Sequence, residues 1–190
     1  MKINGRLILF TLILVVLTAS CKYFFGPNPT WSGFSPLIAI ALFSGMILKQ
    51  RRDMSFIFPL VALLISDAVI QLLYEQNIFP YPGLYDGQWI NYTILLLTAT
   101  LIGWLVKGKN YGTLLLGGIL APTFFFLVSN FNVWANAEVY YTRDFSGLMN
   151  CYEAALPFFR NSLIATLVFL PVILVSYNYL TKQKAALIVA

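Results

Sequence analysis

Residues 54–74 read MSFIFPLVALLISDAVIQLLY, an apolar run interrupted by a few small or uncharged polar residues and by one acid, Asp67. At helical rise the run extends about 30 Å, the thickness of a bilayer's hydrocarbon core. Backbone amides in lipid must find their partners within the segment, so such a run reads as a helix. Five more stretches of the same kind accompany it: Leu7–Phe25, Trp31–Leu48, Trp89–Val106, Gly112–Asn130 and Leu156–Leu180. Hydrophobic residues make up 59% of the 190-residue chain and charged residues only 10%, which excludes an ordinary soluble globular domain. The sequence predicts an all-α, polytopic membrane bundle of six transmembrane helices, one integral membrane domain over residues 1–190.

Orientation follows from the basic residues. Lys2 and Arg6 precede the first stretch, Lys49, Arg51 and Arg52 follow the second, Lys107 and Lys109 follow the fourth, and Lys182 and Lys184 follow the last. Nine of the twelve basic residues thus fall on one side, with Lys22, Arg143 and Arg160 elsewhere. The positive-inside rule places that side, and both termini, in the cytoplasm. Glu75, Asp86, Glu138, Asp144 and Glu153 belong to the opposite face. This asymmetry explains the net charge of +5. No basic run interleaves with aromatics in a solvated segment, so nucleic acid is not an expected partner.

The N-terminus also resembles a signal peptide, with an apolar Leu7–Leu17 and Thr18-Ala19-Ser20 before Cys21. Cleavage would leave five spans and strand Lys182 and Lys184 on the wrong face, so a retained first helix is the expectation. Cys21 and Cys151 fall at the same predicted boundary, and either a disulfide or two free thiols fits. With no His and two distant cysteines, the chain predicts no metal site and no cofactor.

The outer connections are the elaborate ones. Gly26-Pro27-Asn28-Pro29 breaks the chain after the first span, Pro80 to Gly87 after the third, and Ala135–Ala155 reads as a long polar loop. Such loops either carry recognition on a rigid scaffold or merely cap the helices. Ala41-x-x-x-Gly45 and the cluster Gly117, Gly118 and Ala121 mark close helix packing, internal or against a partner subunit. Trp31, Trp89 and Trp134 lie where aromatic belts form.

Asp67 is the only acid deep inside a predicted span, about 20 Å of helical rise from Met54. An intramembrane carboxylate costs at least about 2.5 kcal/mol to insert and faces the bundle interior. Gln71 lies one turn on, and Asn130, Asn132, Trp134, Arg160 and Asn161 reach the same depth from other spans. The inner halves of these spans are almost wholly apolar, which fits an outward-open pocket better than a continuous ion path. Arg160 is the expected partner of Asp67. The expected binding residues are therefore Asp67, Gln71, Asn130, Asn132, Trp134, Arg160 and Asn161; a purely structural ion pair is the competing reading. No nucleophile motif, phosphate loop or metal-ligand cluster points to catalysis, so no catalytic residue is assigned.

The string Phe34-Ser35-Pro36 through Ser44-Gly45, then Pro59-Leu60 and Leu64-Ile65-Ser66-Asp67, together with Ser129-Asn130-Phe131-Asn132-Val133-Trp134 and Pro157-Phe158-Phe159-Arg160-Asn161, carries a resemblance. These segments resemble an uncharacterised family of bacterial six-span membrane proteins. That family is in turn similar to the substrate-binding S components of energy-coupling-factor vitamin transporters. The resemblance implies the inner membrane, Gly26–Gly33 as a lid, and as partner a transmembrane coupling subunit with two ATPases. One departure stands out. S components present Ala-x-x-x-Ala on the first helix, and Arg6–Ser20 has no such pair, so either coupling uses another face such as Ala41/Gly45 or the protein keeps the fold without the transporter. The expected function is binding and uptake of a small vitamin-like molecule by a non-enzymatic protein. A structural or assembly partner in the membrane and an enzyme acting on a lipid-linked substrate are the alternatives.

Overall fold

A computed structural model describes residues 5–48, 52–106, 110–136 and 140–181, and every element among them is a helix. The order is α1 (Gly5–Phe25), α2 (Leu37–Ile47), α3 (Arg52–Glu75), α4 (Gln88–Leu105), α5 (Tyr111–Asn136) and α6 (Phe145–Thr181). Five of these, all but α2, are long and apolar enough to cross a membrane. Ile8, Leu12, Val16, Leu101, Leu116, Val168 and Val172 stand exposed on them, the arrangement of a protein whose outer solvent is lipid. The chain is a helical membrane protein. Lys2, Lys49, Arg51, Lys107, Lys109, Lys182 and Lys184, on which the orientation rests, and Glu138 lie outside the described residues.

The predicted span Trp31–Leu48 requires correction. Its helix begins only at Leu37, after Pro36, and residues 26–36 form a chain of turns. Pro27, Pro29 and Pro36 remove donors and restrict their neighbours, and Gly33 takes φ +88°, which a side chain would resist. An 11-residue helix rises only about 16 Å. Its sequence is apolar all round and it is buried all round: every residue from Ile38 to Met46 is inside, against α3, α4, α5 and α6.

Two helices are longer than the sequence suggests. α5 runs on to Asn136, and α6 starts at Phe145, so much of the expected loop 135–155 is helical. The carboxylate of Asp144 starts α6 by accepting from the Gly147 amide at 2.7 Å and the Thr142 hydroxyl at 2.7 Å. The Gly147 bond, then the Thr142 bond, hold the Asp144 carboxyl below its usual range.

Backbones approach most closely between α2 and α4. A Cβ on Gly103 would stand 2.5 Å from the Leu42 carbonyl oxygen and 2.9 Å from the Gly45 Cα, and one on Gly45 would run into the Thr100 oxygen. The Ala41/Gly45 face is therefore consumed by internal packing and is not an alternative docking face for a coupling subunit. Gly117 faces Leu42, and Gly118 faces Leu167, so these too are interior contacts. Phe10, Phe43 and Tyr177 join α1, α2 and α6, with ring centroids 5.2 to 5.8 Å apart.

Candidate binding pocket

The end of the bundle where α1, α3 and α5 finish and α2, α4 and α6 begin holds a buried polar network. Asp67 on α3 is only 7% exposed. Its Oδ1 accepts from the ammonium of Lys22, in the last turn of α1. Its Oδ2 accepts from Gln88 Nε2 at 2.8 Å and from the Tyr92 hydroxyl, both on α4. Lys22 also donates to Ser66 Oγ at 2.8 Å. Gln88 Nε2 reaches the Gly83 carbonyl at 2.9 Å and the Tyr92 oxygen at 2.7 Å. Three helices are thus tied together through one carboxylate.

The expected partner, Arg160, is displaced from this role by Lys22. Arg160 sits exposed on α6, where its guanidinium meets the Thr30 carbonyl and Asn161 Oδ1, each at 3.4 Å. The physical reason is packing: α1 lies against α3, which sets Lys22 directly beside Asp67. The signal was present in the charge count. Lys22 is a basic residue off the basic side and within an apolar helix, a position that demands a partner.

Beside the network lies a cavity of about 490 Å³ to which all six helices contribute. Lys22 and Asp67 are on its wall, and so is Cys21. The turns after α1 supply Gly26, Ser32, Gly33, Phe34 and Ser35, and the α3–α4 connection supplies Phe79, Tyr81, Pro82, Gly83 and Tyr85. Gly83 is pressed against α3: a Cβ there would meet the Asp67 oxygen and, at 2.5 Å, the Gln71 amide nitrogen. The far wall is aromatic, with Phe125, Phe126, Phe158 and Phe159; Phe126 and Phe159 stack at 4.7 Å between centroids.

Most hydroxyl and amide groups on this wall are satisfied by their own helix. Ser162 donates to the Phe159 carbonyl at 3.0 Å, and Asn130 Nδ2 to the Phe126 carbonyl at 2.8 Å. The buried Ser35 hydroxyl oxygen differs, with no hydrogen-bond partner among the described residues. Among those residues no cluster of three or more His, Cys, Asp and Glu is arranged to hold a metal ion.

Of the residues expected from sequence, Asp67 and Asn130 line this one cavity. Gln71 stands beside it without lining it, accepting from the Leu84 amide at 3.1 Å and donating to Glu75 at 3.0 Å. Asn161, 1% exposed, donates to the Thr30 and Ser32 carbonyls at 2.8 Å each and so fastens residues 30–32 to α6. Asn132 and Trp134 lie on the extension of α5, where Asn132 accepts from Asn136 and Trp134 donates to the Thr142 carbonyl at 2.9 Å. Tyr92 was expected at the level of Asp67 but not among the binding residues, and Gln88 and the individual pocket phenylalanines were missed; the signal for Gln88 was that it sits a helical turn from Tyr92 at the start of a span. Cys21 and Cys151 are separate buried thiols, and Cys151 contacts the Asn130 carbonyl.

No curated protein and no solved structure matches the chain. A family model does, over residues 1–187, nearly the whole length. The chain belongs to that family, DUF6580, a family of unknown function.

Proposed function

We propose that the chain is a membrane-embedded binding protein for uptake of a small vitamin-like molecule, with a pocket open to the outside. The observation that carries this reading is the cavity of about 490 Å³, apolar and aromatic over most of its wall with a few polar groups converging at one end. Small-molecule sites have this size, roughly 300–1,000 Å³, and this composition. The finer reading is a six-span, S-component-like protein of the bacterial inner membrane, with both termini cytoplasmic and residues 26–33 as a lid. The concentration of basic residues in alternate connections supports the orientation. Turns lining one mouth of the cavity support the lid. No nucleotide-binding motif occurs in the sequence, so energy for uptake would come from a separate ATPase module.

A second reading is favoured by one specific observation. Both oxygens of Asp67 are engaged by protein donors, as they would be in a purely structural tie. In that case the protein is a non-catalytic assembly partner in the membrane.

Native mass spectrometry of protein purified in mild detergent tests the first reading, on wild type, Asp67→Ala and Ala155→Phe. Ala155 lines the cavity from α6, which carries no member of the network, so a phenylalanine there fills space while every bonding residue of the network is retained. A stoichiometric small molecule lost from both variants supports uptake. Wild-type protein that carries none, with Asp67→Ala merely less stable, moves the function to assembly.

A further inference from the structure

Lys22 and Asp67 are the two ionisable side chains of opposite charge on the cavity wall, and they are bonded to each other. Whichever of them holds the shared proton, the pair sums to zero. Glu75 and Asp86, the acids of the α3–α4 connection and its flank, are exposed and off the wall, as is Arg160, which is occupied with the Thr30 carbonyl. The cavity therefore offers no unbalanced charge to neutralise a charged ligand.

The wall does offer a hydrogen-bond donor. An ammonium has three donors, and Lys22 gives two to Asp67 and Ser66, which leaves one for an acceptor in the cavity. Across the cavity the phenylalanine wall favours a flat ring that can stack.

We propose that the pocket selects a flat aromatic or heteroaromatic molecule of no net charge, carrying a carbonyl-type acceptor that meets Lys22. This rests on the reading of the cavity as a binding site and adds the ligand's charge state and polar group. Asp67 sets the selection without touching the ligand, by cancelling the charge of Lys22.

Three probes sharing one ring test it on the full-length protein in detergent at pH 7: 2-naphthamide, 2-naphthoate and 2-naphthylmethylammonium, with affinities measured by calorimetry. In wild type the amide should bind at least about tenfold more tightly than either ion, since an uncompensated buried charge is costly. Asp67→Asn leaves a cation unbalanced and should move the preference to 2-naphthoate. Lys22→Met leaves an anion unbalanced and should move it to the ammonium probe. Each comparison is a ratio within one protein, so general destabilisation of a variant does not imitate the switch. A wild type that prefers either ion, or the same order in all three proteins, overturns the charge rule while leaving the pocket as a binding site. Failure of all three probes to bind wild type overturns the pocket reading itself.

Discussion

Removing one member of the Lys22–Asp67 pair should damage the fold far more than removing both. A buried pair broken on one side typically costs about 3–5 kcal/mol, because an uncompensated charge stays inside. Each single variant belongs at the lower end of that range. In Lys22→Met the carboxylate keeps Gln88 and Tyr92 as donors. In Asp67→Leu the lysine, its side chain 19% exposed at the end of α1, can turn its head toward the boundary. Gln88 and Tyr92 also remain bonded to each other at 2.7 Å in that variant, so little else is orphaned. We expect about 3 kcal/mol for each single change and no more than about 2 kcal/mol for Lys22→Met/Asp67→Leu, which exchanges a pair for apolar volume. The coupling would then be at least on the order of 4 kcal/mol. Reversible unfolding in mixed micelles, followed by tryptophan fluorescence and circular dichroism, measures all four corners of the cycle. Additive losses, or single variants within about 0.5 kcal/mol of wild type, would refute the pairing.

Three further outcomes are expected. Gly103→Ala should cost about 1–3 kcal/mol in the same unfolding assay, because its methyl would force α2 and α4 apart at their closest approach; a neutral result would mean the helices do not touch there. Asn161→Ala removes its two bonds to the Thr30 and Ser32 carbonyls and leaves only the longer Arg160 contact on Thr30, so amide hydrogen exchange over residues 28–35 should speed up while α6 stays protected; unchanged exchange counts against the clamp. The Asp144 carboxyl should titrate by NMR below the unperturbed value of about 3.9. Its folded pKa is depressed, so its stabilisation of the α6 start is present above the unfolded value and lost as pH falls through the folded one. A midpoint at or above the unperturbed value removes that cap.

Helices that face lipid were legible because lipid imposes one simple rule on them, an unbroken apolar run of sufficient length. The bounds of α3 and α4 fall within two residues of those read from sequence. Asp67 was legible for the same reason, since an acid in such a run stands out. Its partner was not, because pairing depends on which helices are neighbours and no pattern along the chain encodes that α1 lies on α3. Arg160 and Lys22 were both at the right depth, and only packing chooses between them. The extension of α6 back to Phe145 was hidden by composition: residues 145–155 carry Asn150 and Glu153 at a level where a helix emerging from the bilayer needs no apolar face. Thr142 and Asp144, read as loop polarity, are the start signal of that helix.

The error over α2 has the largest consequence, because the pocket exists where that helix does not. A helix filling the whole of Trp31–Leu48 would rise about 27 Å through the centre of the bundle. The actual one rises about 16 Å and begins only after Pro36, while each of the other five helices is longer. Turns over residues 26–36 take the place of the expected first part of that helix. The cavity is bounded below by Leu37 and Ile38, the first residues of α2, and at its side by those turns. Asn161 then becomes the pin that stops the turns from collapsing into the space or drifting out of it. The prolines that end the helix early thus put turns rather than helix on the cavity wall, and the polar network beside it is the basis of the proposed charge selection.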